Sequence, residues 1–368
     1  MAQEKVFHRL VSLDALRGFD MFWIMGGSAI FIHLAKASGS EGFMALTRQL
    51  HHVAWEGFHF YDLIFPLFMF ISGVAIPYSI LAKKERGIER GVLFRRLFRR
   101  VTLLILFGIF YNGVFQHGFA DPRIASVLGQ IGLAWFFASL ILLYTRTWRA
   151  RFLWLAGIWA FIAVLQLLVP VPGYGAGVLT PEGSINAWID QHFLPGHLYG
   201  GTYDPEGLLC IVSATTVTLL GALAGGILRD GTAASGRKSL LLTGAGTLLV
   251  VTAILLHPHY PIIKKNWTVP FDMLTAGLSF LLLALFYYII DVKKWERWSF
   301  FFRVIGLNSI TIYMLHRMVD WQATSSFFLG SFALLLGDYG PALLALGVVT
   351  LEWLVLLYLH RNRIYLRV

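Results

Sequence analysis

His52 precedes Glu56 by four residues and Asp62 by ten. A carboxylate beside an imidazole orients the ring and raises its basicity. On a helix the spacing of four would bring His52 against Glu56, and Asp62 is a second candidate partner. On residues alone, a histidine at such a place is more often an ordinary polar contact than a general base. Other residues carry similar ambiguity. Asp14 and Arg17 are three apart and can pair, with Asp20 one turn further on; they lock helices or line a polar cavity. Asp204, Pro205 and Glu206 have the types of an N-cap, a first helical residue and a first-turn acid, or they could receive a cation. Asn308 follows Gly306, with Tyr313 and His316 beyond it, a pattern that suits packing between membrane helices as well as chemistry. His257 and His259 are two apart, which suits no helical metal pair, and neither a Walker sequence nor GxSxG is present.

The elements that must hold these residues are membrane helices. Of the 368 residues, 57% are hydrophobic and 14% charged, against about 25% charged in an average soluble domain; the mean hydropathy is +0.67. The expected fold is all-α, a single polytopic transmembrane bundle over 1–368 with no separate soluble domain. Apolar blocks at about 12–36, 58–82, 100–118, 124–145, 150–170, 206–228, 238–257, 269–291, 300–320 and 340–360 give ten spans. The block 323–337 is apolar but short; it reads as a non-spanning outer segment, with an eleventh span as the alternative. The opening MAQEKVFHRL has a signal-like charge, but the following block is too long and too charged for a cleaved leader, so it reads as a retained first span. Positive charge gathers in short loops, most densely in 83–100, which places these loops and the N-terminus in the cytoplasm. The net charge of +10 is therefore an orientation signal and not a nucleic-acid footprint. Three outer segments result: 37–57, the Gly- and Pro-rich 171–205, and 257–267. A stretch as long as 171–205 is usually functional. Pro66, within the span after Asp62, frees a carbonyl and permits a kink.

Several strings in this order resemble one family. Ser12-Leu13-Asp14-Ala15-Leu16-Arg17-Gly18 resembles the SLDxxRG signature of transmembrane acyltransferases. His52-Val53-Ala54-Trp55-Glu56-Gly57, Asp62-Leu63-Ile64-Phe65-Pro66, Arg123-Ile124 with Val127-Leu128, Asp204-Pro205-Glu206-Gly207, Lys265-Asn266-Trp267 and Gly306-Leu307-Asn308-Ser309-Ile310 resemble successive motifs of the heparan-alpha-glucosaminide N-acetyltransferase family. The chain resembles a compact bacterial branch. It departs where the family carries an asparagine in the first span, here Gly27-Ser28, and where V-L is followed by Gly129-Gln130. The resemblance implies transfer of acetyl from cytosolic acetyl-CoA, across the inner membrane, to the amine of a glucosamine-type sugar, with no metal. It implies that His52 is the catalytic histidine. The chemistry of an amine attacking a thioester then suits His52 as base or acetyl acceptor, with Glu56 or Asp62 orienting it and Asn308 donating to the thioester oxygen. Asp204, Glu206, Trp55 and Trp267 would bind the acceptor. Asp14, Arg17, Arg95, Arg96, Arg99, Arg100 and Arg123 would bind CoA. The expected partners are CoA, an amino-sugar or glycan acceptor and the lipid bilayer, with a homodimer as an open alternative. The competing classes are an amino-sugar transporter and an O-acyltransferase for surface glycans.

Overall fold

The computed structural model describes residues 10–117 and 119–366; the first nine residues of the opening run that reads as signal-like lie outside them. Among the described residues the regular structure is helical, with only isolated β-bridges. In chain order the main helices are α1 (Val11–Ser38), α2 (Phe60–Glu85), α3 (Arg90–Tyr111), α4 (Val127–Tyr144), α5 (Trp148–Leu168), α6 (Ile185–Phe193), α7 (Leu208–Arg229), α8 (Ser235–Leu256), α9 (Val269–Val292), α10 (Phe300–Leu307), α11 (Ser309–Met318), α12 (Trp321–Leu335) and α13 (Gly340–Arg361). Among the described residues, eight helices are long and apolar enough to cross a membrane, or nine if the α10–α11 pair, bent by 65°, counts as one span. The 22-residue α3 corresponds to the expected span 100–118, but Arg90, Arg95, Arg96, Arg99 and Arg100 occupy its first half. The described residues form two compact units: 10–53, 59–64 and 282–366 make the first, and 54–58 with 65–281 the second.

In the first unit, α1 and α10 cross at two glycines. A side chain at Gly18 would strike the Phe302 carbonyl, and one at Gly306 would strike the Asp14 carbonyl and the Gly18 amide. Small residues let membrane helices approach this closely. The pairing of 18 with 302 and 14 with 306 makes α10 antiparallel to α1. The expected straight span 300–320 is therefore broken at Asn308 (φ −128°, ψ 36°), where the 65° bend falls. From there α11 and α12 run antiparallel to α13. Asn308 bonds Ile364 and Leu366, His316 bonds Glu352, and the Ser325 hydroxyl donates to the Leu344 carbonyl at 2.8 Å. The segment expected to lie outside, 323–337, falls largely in α12, which packs along α13. Eight long apolar helices, or nine with the bent pair, thus stand among the described residues where ten spans were expected. Hydropathy did not see the joint at Val319–Asp320. There, Asp320 caps α12 by accepting from the Ala323 amide, and the Trp321 indole donates to the Leu315 carbonyl, which also accepts from the Val319 amide at the end of α11.

In the second unit, α7 is the most enclosed helix. The stretch 171–205 is held down by a buried polar network. Gln166 and Asn186 both donate to the Asn266 carbonyl (2.8 and 3.1 Å), Asn266 donates to the Leu179 carbonyl (3.1 Å), and the Tyr260 hydroxyl donates to Gln166. Fully paired networks of this kind stiffen loops, because each lost partner would strand a buried polar group.

Candidate active site

Asp62 lies in the first turn of α2 and is 1% exposed. Its Oδ2 accepts from the backbone amides of Val53 (3.3 Å) and His59 (3.1 Å), and its Oδ1 lies 2.7 Å from His52 Nδ1. The carboxylate thus sits at a helix N-terminus with two amide donors aimed at it. An ionised carboxylate only accepts, so Nδ1 of His52 must carry the proton that joins them. That leaves Nε2 with its lone pair, on a side chain that is 53% exposed. The ring rests against Tyr61, with centroids 4.9 Å apart. His59 and Gln49 brace the same turn: the His59 ring bonds the His51 carbonyl, and Gln49 accepts from the Phe60 amide.

Glu56 is the partner that the structure does not bring to His52. Residues 51–59 form no helix, and Gly57 adopts φ +111°, so the four-residue spacing loses its meaning. Glu56 instead pairs through its backbone with Ile263, and its carboxylate lies 4.0 Å from His257, both within the second unit.

Asp204 and Glu206 meet around Arg123. Arg123 gives Asp204 two bonds (2.9 and 2.7 Å), also donates to Glu206, and stacks over Tyr199 at 4.8 Å. Asp204 is not the helix cap expected from its position; α7 starts at Leu208 behind Gly207. The amide of Leu208 is met by Asp190 of α6, which also accepts weakly from the Asp204 amide. Sequence reasoning missed Asp190, whose only signal was an acid within the long outer stretch. Burial pushes the Asp190 carboxyl up to about 7, and its two amide donors only partly offset this. Burial also pushes Glu206 up to about 7 against the pull of Arg123. Burial would raise Asp204 too, but Arg123 outweighs it and holds Asp204 below its ordinary value. The Arg123 guanidinium, despite its own burial, is held more firmly protonated by the two acids.

Arg123 therefore does not join the other arginines assigned to CoA. It follows the C-terminal end of α3, where Asn112 donates to its carbonyl, whereas Arg95 to Arg100 sit in the N-terminal half, about 20 Å away along the axis. Arg95, Arg96 and Arg99 are exposed, with no hydrogen-bond or ion-pair partner among the described residues, and Arg100 lies over the Trp135 ring at 4.0 Å. In the first unit, Asp14 and Arg17 approach to 3.6 Å, and Asp20 is fully buried.

The two tryptophans separate. Trp55 is half-buried and donates to the Leu179 carbonyl; Lys265 Nζ lies 5.5 Å from its ring centroid, and Tyr203 meets it edge-on. Trp267 is 1% exposed, donates to the Pro205 carbonyl and packs against Phe65 and Phe271. It is a core residue with no face open to a substrate, in a left-handed conformation (φ 45°) that is uncommon outside glycine. Asn308 is buried and bound to backbone: its Nδ2 donates one hydrogen to the Ile364 carbonyl and its Oδ1 accepts from the Leu366 amide.

Two relatives match, heparan-alpha-glucosaminide N-acetyltransferase of Mus musculus and of Homo sapiens. The mouse protein is 27% identical over 332 residues, 73% of this chain and 49% of the relative. The human protein is 26% identical over 370 residues, 85% of this chain and 53% of the relative. The chain thus spans about half the length of these curated relatives. An acyltransferase domain covers residues 10–359, nearly the whole sequence and both units, and by that match the chain belongs to the membrane acyltransferase family.

Proposed function

We propose that this protein transfers acetyl from cytosolic acetyl-CoA to the amine of a glucosamine-type sugar on the far side of the inner membrane, with His52 as the proton acceptor. The observation that carries this reading is the 2.7 Å contact between a half-exposed imidazole and a buried carboxylate. The two relatives, by name, acetylate a glucosaminide amine, which supports an amino-sugar acceptor here.

An amine must lose a proton to attack a thioester, and the reactants must be held together. In the tautomer that Asp62 sets, Nε2 of the half-exposed His52 is the nitrogen that would take that proton, and Asp62 would stabilise the imidazolium that forms. The same nitrogen would serve if the imidazole itself accepted the acetyl group first. For the donor, Arg95, Arg96 and Arg99 are exposed cations suited to the phosphates of a nucleotide. Trp55, with Tyr203 beside it, offers a ring face to a sugar. Asp204 and Glu206 are committed to Arg123 and serve better as an anchor for the outer stretch than as a cation site.

The test is direct. The protein is reconstituted in vesicles with labelled acetyl-CoA on one side and a panel of amino sugars on the other, and products are identified by mass. Wild type should yield an N-acetyl sugar and His52→Ala none, at unchanged expression. Retained transfer in His52→Ala removes the imidazole from the chemistry. Stabilisation by CoA should accompany it; sugar movement without acetylation would favour a transporter.

A further inference from the structure

The first unit holds a second imidazole–carboxylate pair that the reading above leaves idle. His316 Nδ1 lies 2.7 Å from Glu352 Oε1. Glu352 is fully buried in α13, and its other oxygen, Oε2, has no hydrogen-bond partner among the described residues. The His316 side chain is 33% exposed, close to the joint where α11 stops and α12 begins. A buried carboxylate with one oxygen unsatisfied is a poor helix adhesive, since apolar residues of similar volume hold as well or better. An ionisable group inside a span is a functional residue by default.

We infer that His316 is the general acid that protonates the departing thiolate of CoA, with Glu352 as the residue that positions its ring. Nδ1 is engaged by Glu352, which leaves Nε2 to meet a ligand. Glu352 lies nine residues before Arg361, about 13 Å along α13 from the end expected at the cytoplasmic face, on the side from which CoA would enter. An alkyl thiolate expelled into a water-poor site is costly unless it is protonated as it leaves. The step balances. The amine nitrogen bonds the carbonyl carbon, the C–S bond breaks with its electron pair going to sulfur, and His316 delivers a proton to that sulfur. The proton lost by the attacking nitrogen goes to His52. His52 then releases it to water, and His316 takes one from water. The ammonium that entered has supplied one further proton, so one is released overall.

This inference rests on the proposed acetyl transfer, and the experiment separates the two. Wild type, His316→Gln, Glu352→Gln and His52→Ala are assayed with acetyl-CoA and with the acetyl thioester of 4-nitrothiophenol, whose thiolate needs no proton to leave; melting is followed in parallel. With acetyl-CoA, His316→Gln should lower kcat by about 100-fold with KM little changed, and Glu352→Gln by a smaller factor. With the aryl thioester His316→Gln should lose less than threefold, while His52→Ala fails with both donors. An equal loss with both donors, or a loss that tracks melting, overturns the role of His316 and leaves His52 standing. A wild type inactive with every donor overturns both readings. If wild type acts on acetyl-CoA but refuses the aryl donor, the kinetic split decides: a fall in kcat at unchanged KM and melting supports the acid, and a change confined to KM overturns it.

Discussion

Asp62 sets the tautomer of His52 through one bond, and the consequence can be tested by a single atom change. In Asp62→Asn the remaining oxygen would keep the Val53 and His59 amides, and the NH2 would face Nδ1. The proton would move to Nε2, the nitrogen that must be bare. The expected result is a loss of 10²–10⁴ in kcat with little change in KM, within the range for a general base; activity within threefold of wild type would mean that the tautomer is immaterial. Glu56→Gln should leave kcat nearly unchanged, because its carboxylate faces His257. The sequence offered both acids as partners for His52, and helical spacing favoured the wrong one. Nothing in the string HVAWEG announces that Gly57 breaks the helix; only its φ of +111° does. Glu352 was more legible than it was made to be. An acid within TLEWLV, in an apolar block, is the kind of residue that a membrane reading should flag.

At the scale of elements, the Arg123 cluster ties together the end of α3, α6 and the start of α7. Removing the cation in Arg123→Ala would leave Asp204 and Glu206 buried without it, at a cost of about 3–5 kcal/mol, measurable as a fall in melting temperature. The same cluster gives stability a pH dependence. Asp190 and Glu206 both stand near 7 in the folded state, above their ordinary values of 3.8 and 4.5. The folded protein therefore holds more protons than the unfolded one between about pH 4 and 7, and stability falls as pH rises through that window. The depressed Asp204 acts in the opposite sense, only below its ordinary value. Melting temperature in detergent should decline from pH 5 to pH 8, and Asp190→Asn with Glu206→Gln should flatten the decline. A melting temperature that climbs over that range contradicts the protonation assigned here. The apolar blocks located most helices, because length and hydropathy are local properties. They mislocated the joints at Asn308 and Val319–Asp320, because the partners that satisfy those breaks, Ile364, Leu366 and the Trp321 indole, come from packing.

For the whole molecule, charge is the readable variable. The arginines on the first half of α3 should face the compartment that supplies the donor. Arg95→Ala with Arg99→Ala should raise KM for acetyl-CoA by roughly tenfold or more while sparing kcat, as expected for lost charge-assisted bonds to phosphate; an unchanged KM places the nucleotide elsewhere. What composition could not convey is how the outer stretch is organised, since its order comes from Gln166, Asn186 and Asn266 meeting across a hundred residues of sequence. One more property follows from the lone thiol. Cys210 is the chain's only cysteine, is buried, and lies within reach of Asn186, the Asp204 carbonyl and the Lys265 carbonyl. A maleimide can find it only when that junction parts. The rate of alkylation is therefore a clock for the breathing of the outer stretch, readable on the unmodified protein, and it should slow when an acceptor sugar is held in place.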